Sequence, residues 1–104
     1  MTNEELSQHF GRGWWSIART ALELLDREEF ELLQIKEKFG YLRIYYKAPD
    51  SATKEAKKRV REGINLAETK STVTCENCGK AGGHKLVHDC WWKTLCKDCK
   101  EVSH

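Results

Sequence analysis

The chain has 104 residues, enough for one small domain or for one domain with a metal-stabilised extension. Charged residues make up 33% of it, yet 18 Lys and Arg against 16 Asp and Glu leave a formal net charge of +2, which excludes a strongly polybasic protein but not a local basic surface. No apolar run approaches the roughly 18 to 20 residues of a membrane span, and the polar, acidic start does not resemble a signal peptide, so we predict a cytoplasmic protein.

The first predicted element is an amphipathic helix of about residues 13 to 27. Its apolar residues recur at helical spacing and form one stripe: Trp14, Ile17, Ala18, Ala21, Leu22 and Leu25. Trp15 cannot share that stripe with Trp14, so we expect it at the edge. There it either packs against neighbouring elements or, if exposed, is a candidate partner contact.

Residues 30 to 48 predict an antiparallel β-hairpin that turns at Gly40. Leu33 and Ile35 share one alternating face before the turn, and the same face continues after it with Leu42, Ile44 and Tyr46. The opposite face carries Gln34, Lys36, Arg43, Tyr45 and Lys47. Cations beside an aromatic ring are typical of a sheet face that binds nucleic acid. An ordinary solvent-exposed face has the same composition, so both interpretations stay open. Tyr45 is a candidate partner contact on this face.

A second helix is predicted after Pro49 and Asp50, with Ser51 as its cap and its end near residue 69. The buried stripe consists of Ala52, Ala56, Val60, Ile64 and Ala67. Four cations lie on another face: Lys54, Lys57, Lys58 and Arg61. They are candidate contacts for phosphates or for an acidic protein surface, although such a run is most often solvated helix surface.

Two C-x2-C pairs predict a metal site in the C-terminal third. Cys75 and Cys78 form the first pair, Cys96 and Cys99 form the second, and seventeen residues separate them. This spacing is typical of a four-thiolate zinc site, which is closed to water and substrate. We therefore predict one structural Zn²⁺ per chain. Unligated thiols or a redox C-x2-C pair are the alternatives.

The fifth cysteine, Cys90, lies near His84 and His88, so a catalytic zinc site has to be considered. Such a site needs an open coordination position and a nearby acid or base. The H-x-E and P-C-x-x-C signature of zinc deaminases is absent. We favour the alternative in which His84 and His88 are loop residues that bind no metal and Cys90 packs as a small apolar residue.

The predicted fold class is α+β: an N-terminal helix, a β-hairpin, a second helix and a C-terminal zinc ribbon with a short strand at residues 85 to 87. We divide the chain into a helix-hairpin-helix domain at 1–70 and a zinc ribbon at 71–104. No Gly-rich or Pro-rich linker separates them, so we expect the ribbon to pack on the domain. Trp91 and Trp92 precede the second cysteine pair, and Trp92 is a further candidate partner contact.

Three segments carry a resemblance to a known group of proteins: LLQIKEKFGYLRIYY at 32–46, AETKSTVTCENCGK at 67–80 and WWKTLCKDC at 91–99. Together they resemble a group of small, functionally uncharacterised bacteriophage and prophage proteins. In that group a K-E-K-F-G-x-L-R-x-Y segment precedes a helix and a C-x2-C-G ribbon closed by a T-L-C element. Some relatives have histidine at the position of Cys99, and either residue can ligate zinc. The resemblance implies a zinc-bearing α+β fold, a phage or prophage origin and the cytoplasm of a bacterial host, and it implies no specific activity.

Two classes of function are compatible with these observations. The first is a non-enzymatic accessory or counter-defence factor that binds and modulates a host or phage protein complex, because no acid-base or nucleophile constellation is evident. The alternative is a nucleic-acid-binding regulator that uses the basic helix 54–61 and the ribbon lysines Lys80, Lys85 and Lys93. We expect a protein partner rather than nucleic acid, and no membrane; the sequence leaves the oligomeric state open.

Overall fold

The computed structural model describes residues 2–81, 84–88, 91–96 and 98–99, with the side chains of 84–88 and 91–93 outside the description. The fold is α+β, as predicted. Helices α1 (Asn3–Ser7), α2 (Trp15–Arg27) and α3 (Lys54–Ser71) combine with two antiparallel hairpins, β1 (Glu31–Lys38) with β2 (Tyr41–Lys47), and β3 (His84–His88) with β4 (Trp91–Leu95). Within these described ranges, no helix combines the length and apolarity needed to cross a bilayer.

Helix α1 is an element that the sequence analysis missed. Its start is a capping box: the Thr2 hydroxyl accepts a hydrogen bond from the Glu5 amide at 3.2 Å, and the Glu5 carboxylate accepts one from the Thr2 amide at 3.1 Å. The short helix places Leu6 in the core, where it is fully buried. The chain then enters α2 through a single 3-10 turn at Arg12–Trp14.

The main core lies between α2, α3 and the inner face of the first hairpin. Its fully buried members include Trp14, Leu25, Leu42 and Val60. Both predicted helical stripes face this core, with Ala18 and Ala21 from α2 and Ile64 and Ala67 from α3 buried in it. Trp15 is half-buried and packs against the core, and its role as a partner contact stays a prediction.

The first hairpin pairs Ile35 with Ile44 and directs both side chains to the core. The prediction that Leu33 shares their face is wrong. The register shifts between Leu32 and Gln34, so a β-bulge leaves Leu33 58% exposed while Leu32 packs against the core. An extra residue in one strand reverses the alternation on its far side, which the sequence pattern could not show.

The predicted cap of α3 also needs correction. Thr53, not Ser51, is the N-cap residue, and its hydroxyl accepts a hydrogen bond from the Ala56 amide at 3.0 Å. The helix therefore begins at Lys54, two residues later than a cap at Ser51 implies, and ends at Ser71. Both residue types are good caps, so the choice depends on where the chain leaves the turn after Pro49.

Helix α3 covers the free edge of strand β2 with two polar side chains. The amide of Leu42 donates to Ser71 Oγ at 2.8 Å, and the amide of Ile44 donates to Glu68 Oε2 at 2.9 Å. These are the outward amides of an edge strand, which would otherwise be unsatisfied. The contacts fix α3 alongside β2 and leave the outer face of the hairpin uncovered by this helix.

Candidate metal centre

The four predicted ligands meet in one cluster. The sulfur atoms of Cys75, Cys78, Cys96 and Cys99 all lie within 4.8 Å of one another. A tetrahedral ion with bonds of about 2.3 Å separates its sulfur ligands by about 3.8 Å. The Sγ atoms of Cys78 and Cys96 are 3.6 Å apart, which fits that geometry. The prediction that these four residues form one site able to hold a metal ion is confirmed.

The first C-x2-C pair is carried by a tight turn. The Gly79 amide donates to the Cys75 carbonyl at 2.9 Å, and the Cys75 amide donates to the Lys80 carbonyl, also at 2.9 Å. Gly79 has φ = 84°, a conformation that glycine adopts without strain. The turn thereby points the sulfurs of Cys75 and Cys78 toward the same point.

Backbone amides give the buried cysteine of this turn thiolate character. Burial acts to raise the pKa of Cys75, but hydrogen bonds from the backbone N–H groups of Cys96, Cys78 and Asn77 lower that pKa to about 6. The turn thus favours the thiolate form of Cys75, which is the form that binds metal.

The fourth sulfur, that of Cys99, resists deprotonation. The side-chain amide of Asn77 donates to Cys99 Sγ at 3.3 Å and acts to lower the Cys99 pKa, while removal from water and the neighbouring thiols raise that pKa to about 12. Four negative sulfurs within 4.8 Å repel one another. A bound divalent cation removes that penalty, so the donor set fits a cation.

The metal turn is clamped to the N-terminal segment. Gly13 donates its amide hydrogen to the Glu76 carbonyl at 2.7 Å, and the Gly11 amide donates to the Glu76 carboxylate at 3.1 Å. The indole N–H of Trp14 donates to the Thr74 carbonyl at 2.9 Å. A Cβ on Gly13 would overlap the Cys75 carbonyl oxygen and lie 2.5 Å from the Gly79 amide, so only glycine permits this approach.

The second C-x2-C pair is connected to the first hairpin through Thr94. Thr94 is fully buried; its carbonyl accepts the Glu76 amide at 2.8 Å, and its hydroxyl donates to the carbonyl of Gly40. Gly40 lies at the tip of the first hairpin and has φ = 86°. At the surface, Lys80 and Asp98 form an ion pair of 3.0 Å across the two pairs. The residues that flank the cysteines therefore contact both the start of α2 and the tip of the first hairpin. The sequence-based division between residues 70 and 71 stays a prediction.

Several predicted residues are placed outside this centre. Cys90 lies outside the described residues, as do the side chains of His84, His88 and Trp92; the strand predicted at 85–87 is present as part of β3. The predicted basic residues of α3 are exposed, and among the described residues none of them forms an ion pair: Lys54, Lys57, Lys58 and Arg61. Tyr45 lies on the outer face of the first hairpin, as predicted.

Sequence reasoning missed two residues that matter for this site and one on the outer face of the first hairpin. Gly13 and Glu76 form the clamp, and they are more than 60 positions apart, so no local pattern connects them. Tyr41 shares the outer hairpin face with Tyr45, a position that the alternation of β2 could have shown.

Comparisons with known proteins do not identify a family. No family model, no curated protein and no solved structure matches the chain. The function therefore has to be argued from the geometry of its own surfaces.

Proposed function

We propose that the cysteine cluster holds one zinc ion and that the zinc is structural. Four sulfur ligands at tetrahedral spacing suit zinc or an iron-sulfur centre, and a four-ligand site leaves no position for water or substrate. Zinc is favoured by the ribbon spacing of the two C-x2-C pairs. The ion holds together the two cysteine pairs. Through Glu76 and Thr94 it also supports the contacts that the segments carrying these pairs make with residues 11–14 and with Gly40.

The protein itself is, in this proposal, a non-enzymatic accessory factor that binds a protein partner in the bacterial cytoplasm, in line with the phage-type resemblance. The observation that carries it is a groove of about 240 Å³ between α2 and α3. Its apolar lining includes Ile17, Leu24 and Leu66, and Leu66 is 57% exposed. An exposed leucine at the mouth of an apolar groove is typical of a site that receives side chains from another protein.

The groove owes its shape to one glycine. Gly63 faces α2, and a Cβ there would overlap the Cδ2 atom of Leu24. Without that Cβ, Leu24 lies against the backbone of α3 and forms the floor of the groove. Glu23 and Lys70 also line the groove, so the groove carries charges of both signs. This volume accommodates one or two apolar side chains, as an amphipathic helix of a partner would supply, with its polar residues meeting the charges.

The lining of the groove supports a binding role over a catalytic one. It contains no histidine and no cysteine, and two further clefts among the described residues also lack both. Among the described residues, the one group of three or more side chains placed to hold a metal ion is the closed cysteine cluster. A catalytic site needs a nucleophile or an acid-base pair with matched geometry.

Paired variants with equally exposed leucines test the proposal. Leu66→Glu places a charge at the mouth of the groove, whereas Leu33→Glu places the same charge at the bulge of β1, where the leucine is 58% exposed. Tagged wild-type protein is used for affinity capture from phage-infected bacteria, with nuclease treatment. We expect a protein that is retained by the wild type and by Leu33→Glu and is lost with Leu66→Glu.

Two outcomes would contradict this function. Capture that is unaffected by Leu66→Glu would show that the groove is not the binding site. Loss of every partner after nuclease treatment would show that protein association depends on nucleic acid.

A further inference from the structure

The outer face of the first hairpin carries an ordered arrangement of cations and aromatic rings. The guanidinium of Arg43 lies 5.7 Å from the ring centroid of Tyr41 and 5.9 Å from that of Tyr45, and the ammonium of Lys36 lies 5.5 Å from the Tyr45 ring. We refer to Lys36, Tyr41, Arg43 and Tyr45 as the outer face. All four side chains are half-exposed.

The register explains why these groups form one surface. Lys36 is opposite Arg43 and Lys38 is opposite Tyr41, so all of them project from the same side of the sheet, away from the core. Tyr41 and Tyr45 are four residues apart on β2, which separates them by about 13 Å along the strand. Two rings with a cation between them are what base-stacking surfaces of single-strand binders provide.

The same surface continues onto α3. Asn65, Glu68 and Thr69 of α3, with Thr72 directly after it, line a cleft of about 370 Å³ together with Tyr41 and Arg43. Arg61, Lys58 and Lys54 precede Asn65 by four, seven and eleven residues, so they lie on the same side of the helix. We refer to Lys54, Lys58 and Arg61 as the basic stripe. All three are exposed.

Carboxylates close to this surface reduce its positive charge. Glu68 Oε2 lies 3.9 Å from Arg43 Nε and raises the Arg43 pKa, so part of that positive charge is balanced. Lys47 is paired across the sheet with Glu31 and lines a cleft with Glu29 and Asp50, so we do not count it. Within the described part of the chain, five cations of this surface form no ion pair with an acidic side chain: Lys36, Lys38, Lys54, Lys58 and Arg61.

We propose that the outer face and the basic stripe together bind single-stranded nucleic acid. Unpaired bases stack on Tyr41 and Tyr45, and the phosphates run past Lys36 and Lys38 toward the basic stripe. A duplex keeps its bases stacked on each other and cannot use the two rings, so single strands are preferred. This surface is separate from the groove between α2 and α3, and the proposal does not depend on the proposed function.

Fluorescence anisotropy of a labelled 15-nucleotide oligo(dT) measures the affinity directly. Five phosphate contacts predict a slope of about −3.5 in a plot of log K against log salt concentration, because each contact to a single strand contributes about −0.7. We expect binding at about 50 mM salt and at least tenfold weaker binding of a duplex of the same length.

Matched variants separate stacking from general charge. The Tyr41→Leu/Tyr45→Leu variant keeps the cations, and we expect a loss of affinity of about tenfold or more with an unchanged salt slope. Lys36→Ala/Lys38→Ala removes two positive charges, and we expect the slope to fall in magnitude by about 1.4. Arg12→Ala/Arg27→Ala, two exposed cations outside this surface, removes the same charge and leaves the slope unchanged. Circular dichroism and metal content verify that each variant is folded.

Three results would overturn the proposal. One is the absence of oligonucleotide binding at 50 mM salt. A second is an equal loss of affinity in the Lys36→Ala/Lys38→Ala and Arg12→Ala/Arg27→Ala variants. The third is competition by poly-glutamate of matched charge that is as effective as unlabelled oligonucleotide, which would indicate a surface for an acidic protein instead.

Discussion

The backbone amide of Gly13 donates a hydrogen bond to the carbonyl oxygen of Glu76 at 2.7 Å, although the two residues are 63 positions apart. Glu76 lies between the first two cysteines, so this bond connects the metal turn directly to the start of α2. The neighbouring bonds from Gly11 and from the Trp14 indole make the same connection. The metal site and the helical core are therefore expected to be stabilised together.

The first prediction follows from the space at Gly13. In Gly13→Ala the new Cβ would overlap the Cys75 carbonyl oxygen, and backbone on both sides has to move. We expect a loss of about 1 to 3 kcal/mol in the free energy of unfolding, as for overpacking elsewhere. Urea denaturation followed by tryptophan fluorescence measures it, and a chelator competition assay should show weaker metal retention in the variant.

Gly63→Ala is the matched control for that variant. Its Cβ would also overlap a neighbour, but the neighbour is the end of the flexible Leu24 side chain. Alanine in a helix interior gains about 1 kcal/mol over glycine, which offsets the displacement of Leu24. We expect unchanged metal retention. If Gly13→Ala and Gly63→Ala lost metal equally, metal retention would not depend on the contact between Gly13 and Glu76.

The second prediction concerns Ser71, whose hydroxyl accepts the buried Leu42 amide and donates to the Glu68 carbonyl. Ser71→Ala leaves the Leu42 amide without its partner, at an expected cost of about 1 to 3 kcal/mol. Thr72→Ala is the control, because Thr72 makes the same bond to the carbonyl three residues earlier but accepts no strand amide. Equal unfolding midpoints for the two variants would contradict the role of Ser71 as a cap of the β2 edge.

The third prediction is a pH dependence from Glu28 and Arg59, which are 2.9 Å apart and connect the end of α2 to α3. The hydrogen bond from Arg59 lowers the Glu28 pKa in the folded state. The pair therefore stabilises the fold above the unfolded pKa of about 4.3, and this contribution is lost as pH falls through the lower folded value. The difference in unfolding midpoint between wild type and Glu28→Gln should shrink between pH 6 and pH 3.

Wild type and Glu28→Gln have the same cysteine ligands, so we expect metal loss at low pH to lower both unfolding midpoints alike. The difference between the two midpoints therefore remains the quantity to measure. Glu62→Gln serves as the control, since Glu62 is an exposed α3 carboxylate outside the ion pairs found among the described residues. Its difference from wild type should not depend on pH. A difference for Glu28→Gln that stays constant down to pH 3 would contradict the assignment.

Local patterns identified α2, α3, the first hairpin, part of β3 and the four ligands, but not α1 or β4. Helical spacing placed α2 and α3, alternation placed the hairpin at Gly40, and the two C-x2-C pairs identified the cysteine cluster. The capping box that starts α1, with Thr2 and Glu5 three residues apart, was also readable and was overlooked.

The errors arose where the structure depends on contacts distant in sequence or on an irregular backbone. The bulge that exposes Leu33 depends on how β1 pairs with β2, not on the order of apolar residues in β1. The role of Gly13 depends on a turn that begins 62 positions later, at Cys75. Neither feature leaves a periodic signal in the sequence.

The central claim is that Cys75, Cys78, Cys96 and Cys99 hold one structural zinc ion, and elemental analysis of the purified protein tests it most directly. We expect one zinc per chain in the wild type and in Cys90→Ala, because the two C-x2-C pairs already fill a tetrahedral shell. We expect loss of zinc and a lower melting temperature in Cys96→Ser, since such a site contributes on the order of 10 kcal/mol of binding free energy at neutral pH. Iron in place of zinc, no metal at all, or zinc that Cys90→Ala loses and Cys96→Ser keeps would contradict it.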